Sequence, residues 1–199
     1  LGALRRFDVH LVCKLIQRGI LPEDVIGTKS AGSLLSLSKN VTRWLNMLSE
    51  TTGLVLNENN IYRIHPVLCQ VLPMDLQRHN RELLDNLYSQ IFEIYHHDYL
   101  EHKDPSRPLP FILPSRLRVS LDALYYALRI GKPSSEIVAL AGEYRKLYCE
   151  ALHLSNYPGE FEDMALAWSK DAALHEQAKQ RQVFDALEEI LRQSVFPQE

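Results

Sequence analysis

The stretch Leu54–Leu72, "LVLNENNIYRIHPVLCQVL", limits what this chain can fold into more than any other. Two short apolar runs, Leu54–Leu56 and Ile61–Ile64, flank a polar Asn-Glu-Asn-Asn loop, the pattern of a β-hairpin. Pro66 has no N–H to give to a strand ladder, whereas its fixed φ suits the first turn of a helix. The chain must therefore pass from strand to helix at His65-Pro66. The helix "VLCQVL" follows, with Pro73 interrupting or restarting it. His65 sits at the joint, and three roles are open to it. It can be a packing residue at a strand end, a nucleotide contact, or part of a DNA-binding wing.

Upstream, Leu4, Phe7, Leu11, Val12, Leu15 and Ile16 recur at helical spacing over residues 3–19. Asp8 can cap a new start inside that run, and Gly19 supplies a C-terminal stop. "LPEDVIGTKSAGS" is rich in turn residues and precedes a short apolar run, Leu34–Leu37. Ser38 is the expected N-cap of the next helix, which Gly53 ends. In that helix Val41, Trp44, Leu45 and Leu48 form one apolar face, while Lys39, Asn40, Thr42, Arg43 and Asn46 fall opposite. Helix, helix, helix and a two-stranded wing is the order of a winged helix.

From Leu76 onward strand signals vanish. "RELLDNLYSQIFEIYHHDYLEH" carries an apolar stripe of Leu84, Leu87, Tyr88, Ile91, Phe92 and Tyr95. "KDPSRPLPFILPS" is a linker or ordered loop. Helical patterns resume over Arg116–Ile130 and stop at Gly131-Lys132-Pro133. Another, capped by Ser134 or Ser135, runs to about Leu154, and "SNYPGE" breaks it. Phe161–Ser194 holds one long helix or two shorter ones. The expected fold is mainly α: a winged helix with a two-stranded hairpin over 1–75, then a bundle of helical hairpins over 76–199. Those hairpins are of tetratricopeptide length, without a clean repeat at about 34 residues.

Charge divides along the same lines. Residues 1–80 carry nine Lys/Arg against six Asp/Glu, and residues 81–199 carry thirteen against nineteen. With 46% hydrophobic and 24% charged residues the composition is globular. No apolar run approaches the roughly 20 residues of a membrane helix, and no signal-peptide pattern is present. Cys13, Cys69 and Cys149, odd in number and set among apolar neighbours, are expected to be buried thiols of a reducing, cytoplasmic compartment.

Few residues offer chemistry. In "GTKSAGS" Thr28 separates Gly27 from Lys29, and neither the upstream Gly nor a preceding buried strand is present, so this is not a phosphate-binding loop. "HHDYLEH" places His97 with Glu101 and Asp98 with His102 at i, i+4, a spacing metals can use. Histidines near a helix C-terminus are also favoured by its dipole, and no metal is expected. No nucleophile elbow or Cys-x-x-Cys pair occurs, and the chain is not expected to be an enzyme. Lys39, Asn40, Thr42, Arg43 and Asn46 are side chains that a DNA-reading helix presents to base edges. Against this, the wing loop contains Glu58 and no cation to meet phosphate.

Taken in order, "ALRRFDVHLVCKLI … NVTRWLNMLSETTGLVLNENNIYRIHPVLCQVL" resembles the winged-helix domain that follows the nucleotide-binding core of STAND-type NTPases, the NB-ARC-like and NACHT-like regulators. Phe7-Asp8-Val9, Gly53-Leu54-Val55 and Tyr62-Arg63-Ile64-His65-Pro66-Val67-Leu68 carry the likeness, which covers about residues 1–75. It implies that His65 corresponds to the family's winged-helix histidine, which contacts the β-phosphate of ADP in the closed, inactive state. Pro66 replaces the acidic residue of the Met-His-Asp form. It further implies ADP or ATP held by an upstream nucleotide-binding domain of the same chain, and a helical arm that receives a protein partner. Consistent with a piece of a longer protein, "LGALRRFDVHLVCKLI" is already helix-like where it begins. The alternative expectation is a DNA-binding transcription regulator whose helical part dimerises or senses a ligand.

Overall fold

Asp8, which looks like a residue inside a long helix, is the point where a strand ends and the helix starts. Its backbone is extended and its carboxylate accepts from Leu11 N–H at 2.8 Å, so the helix begins at Val9. Arg6–Phe7 before it pairs antiparallel with the second strand of the hairpin, Arg6 opposite Arg63 and Phe7 opposite Tyr62. The expectation of a helix from residue 3 is therefore corrected. Phe7 lies four residues before Leu11, and a core-facing strand residue at that spacing imitates a helical face.

The computed structural model describes residues 6–22, 26, 33–58, 61–103, 122–151 and 181–192. Among them the order is β1 Arg6–Phe7, α1 Val9–Gln17, α2 Leu34–Thr52, β2 Val55–Glu58, β3 Ile61–Ile64, α3 Pro66–His79, α4 Arg81–Lys103, α5 Ala123–Arg129, α6 Ser134–Ala151 and α7 Arg181–Arg192. The fold is mainly α with one small antiparallel sheet, in strand order β1-β3-β2. Two compact units divide the chain, Leu1–Ile94 and Tyr95–Glu199, the division falling inside α4. The boundary expected between residues 75 and 76 lies inside α3.

In the first unit α1 ends in a Schellman turn. Gly19 at φ 69° lets its own N–H reach Ile16 C=O and that of Ile20 reach Leu15 C=O, both at 2.9 Å. The second helix starts at Ser33, not Ser38. Ser33 accepts from Ser36 N–H at 3.2 Å while its own N–H reaches the Ser36 hydroxyl, a reciprocal capping box. The run Leu34–Leu37 is thus the first turn of α2, and most of the segment between α1 and α2, residues 23–25 and 27–32, lies outside the described residues. Gly53, left-handed, ends α2 as expected.

The winged-helix core forms where α1, α2 and the sheet meet. Leu11, Val12, Leu15 and Ile16 of α1 are buried with Leu37, Val41 and Leu45 of α2 and Val55, Tyr62 and Ile64 of the hairpin. Trp44 and Leu48, expected on the same face, are half-buried. Phe7 stacks on Tyr62 with ring centroids 6.0 Å apart and planes at 21°. Beyond the sheet, α3 runs through Pro73 to His79. Asn80 alone separates it from α4, and its side-chain oxygen caps Leu83 N–H at 3.1 Å. Within this unit α4 buries Leu84, Tyr88, Ile91 and Phe92, and Gln90 accepts from Arg18 at 2.9 Å.

The second unit contains helices and no strand among its described residues. Helix α5 packs on α6 and α6 on α7. Every residue of α5 is buried, and Gly131 turns the chain out of it towards Pro133, whose carbonyl accepts from the Glu136 and Ile137 N–H groups of α6. Tyr125 and Tyr126 meet edge-on at 5.3 Å. Of the expected features, most of the "KDPSRPLPFILPS" segment, residues 116–121, "SNYPGE" and residues 161–180 lie outside the described residues.

Phe7 joins a two-residue strand to the core, so its loss should be felt by the whole first unit. Phe7→Ala is expected to lower stability by about 3–5 kcal/mol in urea denaturation. Leu35→Ala, at a position 67% exposed, should stay within about 0.5 kcal/mol of the parent.

Candidate functional site

The strand-to-helix joint holds its backbone firmly and leaves its side chain outside. His65 N–H donates to Leu54 C=O at 2.8 Å, which extends the hairpin ladder by one step. Its carbonyl accepts from Leu68 N–H at 2.9 Å, closing the first turn of α3 around Pro66. The backbone angles, φ −50° and ψ 133°, are the extended ones that a following proline imposes. The imidazole is exposed and makes no capping hydrogen bond. A fixed main chain under an exposed ring presents a donor or acceptor to whatever approaches.

The helix that His65 opens carries an exposed apolar stripe. None of the described side chains of α3 is buried. Val67, Val71 and Met74, at i, i+4 and i+7, are 59%, 53% and 51% exposed, and Leu54 beside His65 is also exposed. The hydrophobic spacing of this stripe is visible in the sequence, but which way it faces is not.

The five residues singled out on α2 sit in different surroundings. Lys39 and Arg43 are exposed one turn apart. Asn40 and Thr42 are half-buried, and the Thr42 hydroxyl donates back to Ser38 C=O at 2.8 Å. Asn46 is engaged with the wing. Its side-chain oxygen accepts from the Tyr62 hydroxyl at 2.8 Å and from Asn57 Nδ2 at 3.3 Å. Burial raises the Tyr62 phenol above its ordinary pKa, so it stays a donor. On the outer side of the hairpin Arg63 pairs with Glu58 at 3.1 Å, leaving that cation less available to a polyanion. Tyr62 and Asn57 escape sequence reasoning, since only the strand register brings them to Asn46.

In "HHDYLEH", His96 Nδ1 lies 2.9 Å from the Tyr144 hydroxyl on α6, Asp98 is buried and His97 is exposed. The Glu101 and His102 side chains lie outside the described residues. Among the described residues no group of three or more His, Cys, Asp or Glu is placed to hold a metal, and no helix is long and apolar enough to cross a membrane. Of "GTKSAGS" only Ser33 is described, as the cap of α2. Cys13 is a buried free thiol, whereas the side chains of Cys69 and Cys149 lie outside the described residues. Set against protein-family models, curated proteins and solved structures, the chain matches none of them.

Burial, reinforced by the nearby Asp8 charge, pushes the Cys13 thiol from 9.0 up to about 11. An unfolded chain ionises this thiol first, so between pH 9 and 11 it holds fewer protons than the folded one. Stability should therefore fall as pH rises through that window. At pH 8 Cys13 is expected to resist iodoacetamide in the native protein and to alkylate in urea, as read by peptide mass spectrometry. Rapid native labelling would contradict the burial.

Proposed function

We propose that this chain is a non-catalytic regulatory part of a STAND-type signalling ATPase. In this reading the winged helix closes on bound ADP through His65, and the helical unit receives a protein partner. The observation that supports it is the pairing of an exposed imidazole on a rigid joint with the uncovered apolar stripe Val67, Val71 and Met74 on the helix it opens. Apolar surface of this kind suits cover by another domain, and a nucleotide-binding domain of the same polypeptide is the cover proposed. An imidazole at the edge of such a contact can donate to a phosphate oxygen. Closing with ADP and opening with ATP then requires only that the two nucleotides favour the two arrangements differently.

The test uses the longer polypeptide that carries the nucleotide-binding domain. His65→Ala should release ADP about tenfold faster or more, the effect of losing one hydrogen bond to a charged group, and should raise basal signalling. Unchanged ADP release together with unchanged signalling would refute the proposal.

A second reading is favoured by the exposed Lys39 and Arg43 on α2, which would meet DNA phosphate and base edges. Fluorescence anisotropy with random duplex DNA decides it. Submicromolar, salt-sensitive binding that Arg43→Ala abolishes would support a DNA-binding regulator, and its absence would remove that reading.

A further inference from the structure

We propose that Asn46 is a positioning residue: through one side-chain oxygen it fixes the hairpin to α2 and so sets where His65 stands. This rests on the assignment of His65 as the nucleotide contact, although the clamp itself can be tested without nucleotide. The geometry is specific. Asn57 and Tyr62 face each other across the β2–β3 ladder, and both donate to the Asn46 oxygen, at 3.3 and 2.8 Å. A single acceptor on α2 thus holds both strands of the wing at the same rung. Three residues beyond Tyr62 the ladder ends at His65, whose N–H is held by Leu54 C=O.

No free rotation intervenes between that rung and the imidazole's own backbone. Val55 and Ile64 pair, Leu54 receives His65, and Pro66 fixes φ at the start of α3. A tilt of the hairpin relative to α2 must therefore carry His65 with it. Asn46 is half-buried and faces the hairpin. Its tie to Tyr62 involves a phenol that is otherwise enclosed, its ring stacked on Phe7 and fully buried. Its tie to Asn57 is exposed to water.

Two substitutions separate a clamp from a plain contribution to folding. Asn46→Leu keeps the branching at Cγ and removes the acceptor, whereas Asn46→Asp keeps an acceptor for both donors. In native-state hydrogen exchange on the 199-residue chain, Asn46→Leu should speed exchange of the 55–65 amides by about tenfold. The α1 amides should keep their parental rates, and Asn46→Asp should restore protection to the wing. Unchanged exchange at 55–65 would overturn the proposal. So would an equal rise in α1, because Asn46 would then add stability without directing the wing.

In the longer polypeptide, Asn46→Leu should hasten ADP release as His65→Ala does, with no further gain when the two are combined. A loosened wing with unaltered ADP release would overturn the positioning role. If His65→Ala itself leaves ADP release unaltered, the nucleotide assignment of His65 fails, and the exchange result still stands for the clamp.

Discussion

The hydroxyl of Tyr62 is the polar group on which the first unit's assembly depends. Its residue is fully buried, and a buried hydroxyl without an acceptor is costly. Asn46 supplies that acceptor from α2, while the ring face of Tyr62 lies on Phe7 of β1. One side chain thereby draws the first strand, the second helix and the last strand into one contact. The aliphatic core from α1 and α2 fills the space this contact defines, but aliphatic packing alone has no direction. The hydroxyl, needing its acceptor at a fixed place, provides one.

Features that depend on neighbours in sequence were legible in it. The hairpin, the stops at Gly19 and Gly53, and the helix opening at Pro66 all follow from turn chemistry within a few residues. Features that depend on distant partners were not. β1 is two residues long and exists because Arg63 and Tyr62 come alongside it, so its own residues resemble the start of α1. The start of α2 was hidden for another reason. Leu34 and Leu35 are exposed, so the helix begins before its buried stripe does, and Ser38 looked like the cap. His65 was correctly placed at a strand-to-helix joint, whereas its exposure belongs to the packing around it. Asn46 shows the limit most clearly, since an asparagine on an outer helix face can read a base or hold a wing. Only the register of the hairpin distinguishes the two.

Helix α3 differs from the other helices of the first unit in its burial. Most helices in folded proteins are held by packing of an apolar face rather than by propensity, yet no described side chain of α3 is buried. Pro73 also lies within it, and an interior proline removes the bond to the carbonyl four residues earlier. It is attached to the hairpin by the His65 turn at one end and to α4 through Asn80 at the other. An element of this kind stands to gain from being covered.

The pairing of β1 with β3 also imposes a schedule on synthesis. The strand that leaves the ribosome first is completed only by the strand made last in the sheet, so Phe7 has no ring to lie against until Tyr62 has been translated and released. Until then the helices can form locally, but the sheet cannot close, and the aromatic surface of Phe7 stays open to the chaperones and neighbouring chains that such surfaces attract. A ribosome paused before residue 62 would hold an unfinished wing, its first strand made and the strand it pairs with still to come.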